Sequence, residues 1–247
     1  MKKLIVIFLL SLCFTANTFS QNRYQIYNVS KDIEVIKIMN NTYLNVSYTS
    51  MPQHGRIGSN GIIYINNGQA ALFDTPMNKN LTKGLVNWIQ DSLQVKIVLF
   101  VPNHWHEDCI GGLAYLNSSG IDSYANEMTI QFAKSKNLPL PHYGFKDTLT
   151  LHLGDKKIFC EYLGAAHTLD NIVVWLPSEK VLFAGCMVKE LKSSNLGNTV
   201  DGDLKAYPET IKQVLEKFHN ADIVIPGHGL FGGLELLKHT LDLCSFK

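Results

Sequence analysis

The chain has 247 residues, with Lys plus Arg at 22 against Asp plus Glu at 21, a formal net charge of +1, hydrophobic residues at 46% and charged residues at 17%. That length and apolar fraction suit one sizeable globular domain, or two fused halves sharing a core, and exclude a disordered chain. Near-neutral charge with only two arginines, Arg23 and Arg56, offers no basic field for a nucleic-acid backbone, so no nucleic-acid partner is expected.

Residues 1–20 read as a secretory signal peptide. Lys2 and Lys3 form a positive start, residues 4–15 an apolar stretch, and Thr18-Phe19-Ser20 a small-x-small cleavage signal. A membrane anchor would need about 20 apolar residues, and a lipoprotein signal would want a small residue where Leu12 precedes Cys13. The expected product is a near-neutral periplasmic domain over residues 21–247, with no stable membrane insertion. Export permits disulfides among Cys109, Cys160, Cys186 and Cys244. A chain this long needs no staples, however, and a metal ligand is the better reading for at least one of them.

Along the mature chain, β-branched and aromatic residues over 33–48 and 61–73, with the turn signal Asn67-Gly68, predict antiparallel strands. Between them, residues 48–58 are rich in turn formers and are expected to be a mobile loop. Leu81, Leu85, Val86 and Ile89 fall at helical spacing within 78–93, and 95–101 is an apolar run of buried-strand length. The second half repeats this grammar, with strands predicted over 157–163, 171–176 and 181–184. A helix opened by Pro208 follows over 208–218, then a strand over 222–226 and a closing amphipathic helix over 234–243. Two similar halves of mixed strands and helices imply helices packed outside two facing sheets.

The strongest chemical signal follows the 95–101 run, in Asn103-His104-Trp105-His106-Glu107-Asp108-Cys109. Two imidazoles and a carboxylate at His-x-His-x-Asp spacing, leaving a buried strand, can converge on a borderline metal ion such as zinc. One histidine alone would be read as a surface residue, but three ligand types within five positions outweigh that reading. Downstream, His167 lies between two strand-like runs, Cys186 follows a strand and a glycine, and His228 stands between Gly227 and Gly229 at a strand end. Each of these is weak alone, since a cysteine is more often a buried small hydrophobe.

In order, His104, His106, Asp108, His167, Cys186 and His228 resemble the pattern of the metallo-β-lactamase superfamily, and the cysteine is similar to that of its subclass B1. The resemblance covers essentially the whole mature chain. It implies an α/β fold, the αβ/βα four-layer sandwich of two facing mixed sheets with helices outside, and two Zn2+ ions per chain. His104, His106 and His167 would hold the first ion, and Asp108, Cys186 and His228 the second. Three protein ligands leave an open coordination position, whereas structural zinc sites are closed by four.

In thioesterase-like and nuclease-like members of the superfamily, a histidine would follow the motif aspartate and an aspartate would replace Cys186. Here Cys109 and Cys186 occupy those places, which favours the lactamase branch. The implied activity is hydrolysis of the β-lactam ring of penicillins, cephalosporins and carbapenems, giving antibiotic resistance, by a monomer acting on a small-molecule substrate. Asp108, Lys189 and Asn198 would be its catalytic residues. Lys189 matches the family lysine that pairs with the substrate carboxylate, and Asn198 the asparagine that donates toward the lactam oxygen, although Thr199-Val200-Asp201-Gly202 departs from the expected pattern.

Asp74 would hold a ligand histidine in the correct tautomer. Trp105 and the 48–58 loop with Met51 would form an apolar wall and flap, and Cys109 would line the cleft. His54, His142, His152, His219 and His239 lack partners at ligand spacing and are expected to be solvated or core residues. The alternatives are another secreted hydrolase of this fold acting on thioesters or esters, and a non-catalytic zinc-binding protein. The latter would be expected to carry paired Cys-x-x-Cys ligands, which are absent from the sequence.

Overall fold

Asn67 and Gly68 both take positive φ, 49° and 73°, the backbone a two-residue hairpin turn demands of its central residues. The expected hairpin is therefore formed, between β4 and β5 of a computed structural model that describes residues 24–52 and 55–245. The signal peptide expected over residues 1–20, and His54, lie outside the described residues. The first half runs β1 (Gln25–Ser30), β2 (Ile33–Lys37), β3 (Thr42–Met51), β4 (Gly55–Asn66), β5 (Gln69–Phe73), α1 (Lys79–Ser92), β6 (Lys96–Val101), α2 (Glu107–Ile110), α3 (Leu113–Ser118), β7 (Asp122–Asn126), α4 (Glu127–Ser135) and β8 (Tyr143–Phe145). The second half runs β9 (Thr148–Leu153), β10 (Lys156–Glu161), β11 (Val173–Leu176), β12 (Val181–Gly185), α5 (Tyr207–Lys217), β13 (Ile223–Pro226) and α6 (Glu235–Ser245).

The strands form an eight-stranded sheet in the order β1 to β8 and a five-stranded sheet in the order β13-β12-β11-β10-β9. Both are mixed: β5 to β8 pair in parallel, as do β12 and β13, while the remaining neighbours are antiparallel. Period-two alternation sorts the side chains between layers. Leu44, Ile62, Tyr64, Phe73 and Val101 of the first sheet meet Ile158, Val174, Leu176, Phe183 and Ile225 of the second. Their opposite faces bury Ile63, Leu72 and Phe100 against α1, α3 and α4, and Val173, Leu182 and Val224 against α5 and α6. Strands covered on both faces read as near-continuous apolar runs, which is why they were visible in the sequence. The architecture is the expected four-layer sandwich.

Helix α1 starts where Asn78 accepts the Leu81 N–H at 3.0 Å, and Pro208 stands in the first turn of α5 as predicted. The mobile loop expected over 48–58 is corrected. β3 and β4 stay in register from Thr42↔Tyr64 to Met51↔Gly55, because pairing across the hairpin outweighs the turn-forming composition of its end. Strands β1, β7, β8 and β9 and helices α2, α3 and α4 are additional; β7 and β8 are short and polar, with little apolar periodicity of their own. All four cysteines of the described chain are free thiols. Among the described residues no helix is long and apolar enough to cross a membrane.

Several polar contacts join the sheets at the end remote from the histidines. Glu179, buried in the turn between β11 and β12, accepts the Asn41 N–H at 2.7 Å and the Thr42 hydroxyl at the start of β3. Beside it the Tyr64 hydroxyl meets Ser178 at 2.7 Å. Hydrogen bonds to a charged acceptor contribute about 1.5 to 3 kcal/mol each, so loss of both in Glu179→Ala is expected to lower unfolding stability by about 3 to 6 kcal/mol. Chemical denaturation of the metal-free protein measures this, and metal content per folded chain should not change.

Candidate metal centre

All six ligand-type residues lie where strands run out at one edge of the sandwich. His104, His106 and Asp108 follow β6, His167 lies between β10 and β11, Cys186 follows β12, and His228 follows β13. The rings of His104, His106 and His167 surround one point, with centroids 4.6, 5.0 and 5.3 Å apart and planes crossing at 76° to 89°. Asp108, Cys186 and His228 form a second group whose ligand atoms lie within 4.8 Å of one another. Ligand atoms of His104, His106 and Asp108, and of His104, His167 and Cys186, approach equally closely, so the two groups adjoin.

The support beneath these side chains crosses between the halves. Asn103 donates its side-chain amide to the Ile172 carbonyl, and its own carbonyl accepts the Ile172 N–H at 3.0 Å. Asp74 at the end of β5, with φ 57°, accepts the Asn103 N–H at 2.5 Å. Fully buried Asp170 accepts the Trp105 N–H at 3.0 Å and the Thr129 hydroxyl at 2.7 Å. Asn60 on β4 holds the His228 loop by donating its side chain to the Pro226 and Gly229 carbonyls at 2.8 and 2.9 Å. Gly227 is required for a different reason: a Cβ there would lie 2.3 Å from Cys186 Sγ and 2.7 Å from its backbone nitrogen.

Hydrogen bonds select which ring nitrogen faces inward. His106 Nε2 meets the Asp201 carboxylate at 3.0 Å, leaving Nδ1 opposite His104 Nε2, also at 3.0 Å. His228 Nδ1 donates to the Gly58 carbonyl at 2.9 Å, leaving Nε2 facing Asp108 at 3.1 Å. Such outer partners fix tautomer and ring orientation. Asp201 had no signal in the sequence, since it reaches His106 across 95 positions from a polar loop.

Burial disfavours charge on two of the imidazoles, with His104 lowered well below the ordinary histidine value and His167 lowered to about 3. Burial acts against charge on Asp108 and His228 as well, yet their mutual hydrogen bond and neighbouring charges prevail. Asp108 is held well below the usual carboxylate range, and Cys186 and Asp108 raise His228 well above its ordinary value. The Cys186 thiol is pushed up by burial and then by Asp108.

These residues fit a metal ion. His104 Nε2 and His106 Nδ1 face one another across 3.0 Å, and His167 Nδ1 is buried with no hydrogen-bond partner among the described residues. One carboxylate, one thiol and one further imidazole converge beside them, a nitrogen, sulfur and oxygen donor set suited to zinc.

Above the centre lies a cavity of about 650 Å³, lined by Met51, Ile57, Met77, His106, Asp108, His167, Gly197, Asn198 and His228. Met51 stands in the expected wall. Asn198 is exposed at its rim, with Oδ1 accepting the Val200 N–H at 3.2 Å. Lys189 lines an adjoining opening beside His228, its Nζ donating to the Cys186 carbonyl at 2.7 Å. Three expectations change. Trp105 does not line the cavity wall: it packs behind the lining residue His106, with ring centroids 4.5 Å apart, and is capped by Lys136 Nζ at 4.7 Å. Cys109 does not line the cleft: it is buried with Sγ 3.2 Å from His104 Nδ1, and burial keeps it a neutral thiol. Asp74 reaches the ligands through Asn103 and Cys109, with no direct hydrogen bond to a ligand imidazole.

Residues 55–228 match the family model described as the metallo-beta-lactamase superfamily. Over 240 residues the chain is 48% identical to a metallo-beta-lactamase type 2 of Bacteroides fragilis, spanning 97% of this chain and 95% of the relative. It is 32% identical to one of Pseudomonas aeruginosa over 241 residues, 97% of this chain and 92% of that one. A solved metallo-beta-lactamase from Pontibacter korlensis superposes with a TM-score of 0.84 at 35% identity, over 87% of this chain and all of that one.

The contact at Gly227 makes a specific demand on the second group of ligands. A methyl group 2.3 Å from Cys186 Sγ must displace the thiol or its backbone, so Gly227→Ala is expected to weaken metal binding by the Asp108, Cys186 and His228 group at least about tenfold. Metal binding by the three histidines should remain. Competition with a chromophoric chelator distinguishes the two; two unchanged affinities would detach Gly227 from the site.

Proposed function

The chain belongs to the metallo-β-lactamase superfamily, and on that premise we propose that it is a zinc-dependent β-lactamase of the subclass B1 type, hydrolysing the lactam ring of penicillins, cephalosporins and carbapenems. The observation that carries this reading is the convergence of His104, His106, His167, Asp108, Cys186 and His228 beneath one open cavity. On this reading the three histidines hold one zinc ion, and Asp108, Cys186 and His228 hold a second. Bound there, zinc supplies Lewis acidity toward carbonyl and leaving group and lowers the pKa of a bound water to about 7.

The protein's own groups supply orientation and proton placement. Asp201 holds His106 by Nε2 and the Gly58 carbonyl holds His228 by Nδ1, so each ring offers its other nitrogen inward. Lys189 presents an ammonium at the opening beside His228 to attract the carboxylate common to these antibiotics. Burial lowers its pKa while Cys186 and Asp108 act in the opposite direction. Asn198 has its Oδ1 engaged by the Val200 N–H, which leaves Nδ2 to donate to the lactam oxygen as charge develops there. Met51, Ile57 and Met77 give the substrate an apolar wall. Trp105 acts from behind His106, through its ring contact. Each cleft is complete within one chain, consistent with a monomer, and residues 1–20 would direct export to the periplasm.

Metal dependence is tested with a chromogenic cephalosporin: a strong chelator should abolish turnover, and about two equivalents of zinc should restore it. A saturated preparation without zinc, or turnover indifferent to the chelator, would sink the reading. For Lys189, pairing of an ammonium with a carboxylate is expected to contribute about 1.5 to 3 kcal/mol. Lys189→Ala should therefore lose roughly ten- to a hundredfold in kcat/KM, with zinc content unchanged. Lys189→Glu should be worse, because repulsion replaces attraction. Steady-state kinetics on a penicillin would return Lys189 to the ordinary surface if kcat/KM were unchanged in the alanine variant.

A further inference from the structure

The β3–β4 hairpin contributes to the centre twice, and one side chain holds it from behind. By register Tyr48 lies opposite Gly58 and Ser50 opposite Arg56, so Tyr48 and Arg56 share one face, while Met51 and Ile57 share the other. That second face supplies Met51 and Ile57 to the cavity wall. Gly58 lets the Tyr48 ring lie across the strand, since a Cβ would stand only 3.0 Å from Tyr48 Cε1. The carbonyl of the same glycine accepts the His228 Nδ1–H at 2.9 Å.

Arg56 closes over this arrangement. Its guanidinium carbon lies 3.9 Å from the Tyr48 ring centroid, Nη2 donates to the Lys31 carbonyl at 2.6 Å, and the same nitrogen is 3.5 Å from the Asp32 carboxylate. Lys31 and Asp32 form the turn between β1 and β2, and the Asp32 carbonyl also accepts the Tyr48 N–H at 2.9 Å. A continuous line of contacts thus runs from the first turn of the sheet through Arg56, Tyr48 and Gly58 to His228. A planar guanidinium can stack and donate at the same time, which an ammonium cannot do equally well.

We propose that Arg56 is a positioning residue for the metal centre: by clamping Tyr48 to the turn at residues 31 and 32, it sets where the Gly58 carbonyl meets His228 and where Met51 and Ile57 stand over the substrate. This rests on the metal-dependent reading above.

The test compares the full chain with Arg56→Ala and Arg56→Lys by chelator competition, steady-state kinetics on a penicillin with a bulky apolar side chain, and backbone amide exchange. For Arg56→Ala, the second zinc ion should bind about three- to tenfold more weakly and KM should rise by a similar factor, a fraction of the free energy of one exposed cation–π contact plus one charge-assisted hydrogen bond, because Arg56 acts on the centre only through the hairpin. The first ion should be unaffected, kcat should change by less than about twofold, and exchange should quicken across the described part of the hairpin. Arg56→Lys should recover part of each change by keeping the charge near Asp32. Unchanged zinc affinities and KM in Arg56→Ala would overturn the proposal even if exchange quickened, because the hairpin's order would then be irrelevant to the centre. Changed binding with unchanged exchange would overturn it too, because the effect would not pass through the hairpin. A parent chain that binds no zinc would fell the metal reading and this inference together, and is recognised before any variant is made.

Discussion

The thirteen strands and six helices of the described residues are arranged by one requirement: two sheets must each bury both faces, and they can do so only by sharing an apolar layer and covering their outer faces with helices. Ile62, Tyr64 and Phe73 from one sheet and Ile158, Val174 and Phe183 from the other make that shared layer. Its consequence is positional. Strands that stop at the same edge deliver the segments after β6, β10, β12 and β13 to one place, and those segments carry the histidines, the aspartate and the cysteine. The helices mainly cover the sheets, and none carries one of the six ligand-type residues except the short α2, which begins just after His106 and contains Asp108.

Bringing so many polar groups to a buried edge costs free energy unless each finds a partner. The centre meets that cost in two ways. Behind the ligands, Asp74, Asn103, Asp170 and Asn60 accept or donate hydrogen bonds to backbone that would otherwise be orphaned. In front, Asp108 and His228 pair directly, while His104 and His167 are driven neutral by burial. Neutral imidazoles beside a carboxylate and a thiol constitute a donor set whose unmet demand is a cation, so the electrostatics and the geometry point the same way.

The hairpin of β3 and β4 shows how a surface feature can take part in this arrangement. Alternation along its strands sends Met51 and Ile57 into the cleft and Tyr48 and Arg56 away from it. The backbone between those faces carries Gly58, whose carbonyl fixes a tautomer of His228. Substrate wall and ligand orientation therefore depend on one pair of strands, and whatever steadies the pair acts on both.

The amino-acid sequence by itself determined the elements with strong apolar periodicity, and its local pattern marked His104, His106 and Asp108 after a buried strand, whereas His167, Cys186 and His228 were weak alone and joined them only through the resemblance of the ordered set to the superfamily. It also determined the hairpin at Asn67-Gly68, where only a few residue types tolerate the required φ. The tertiary structure alone decided that residues 48–51 and 55–58 continue as paired strands, since the cross-strand contacts outweigh a loop-like composition. It alone placed Cys109 beneath His104 instead of in the cleft, and joined Asp201 to His106 and Gly58 to His228 across 95 and 170 positions of chain. Periodicity reports which face of an element is buried; it carries no information about which distant element arrives there, and that meeting is set by the packing of the two sheets.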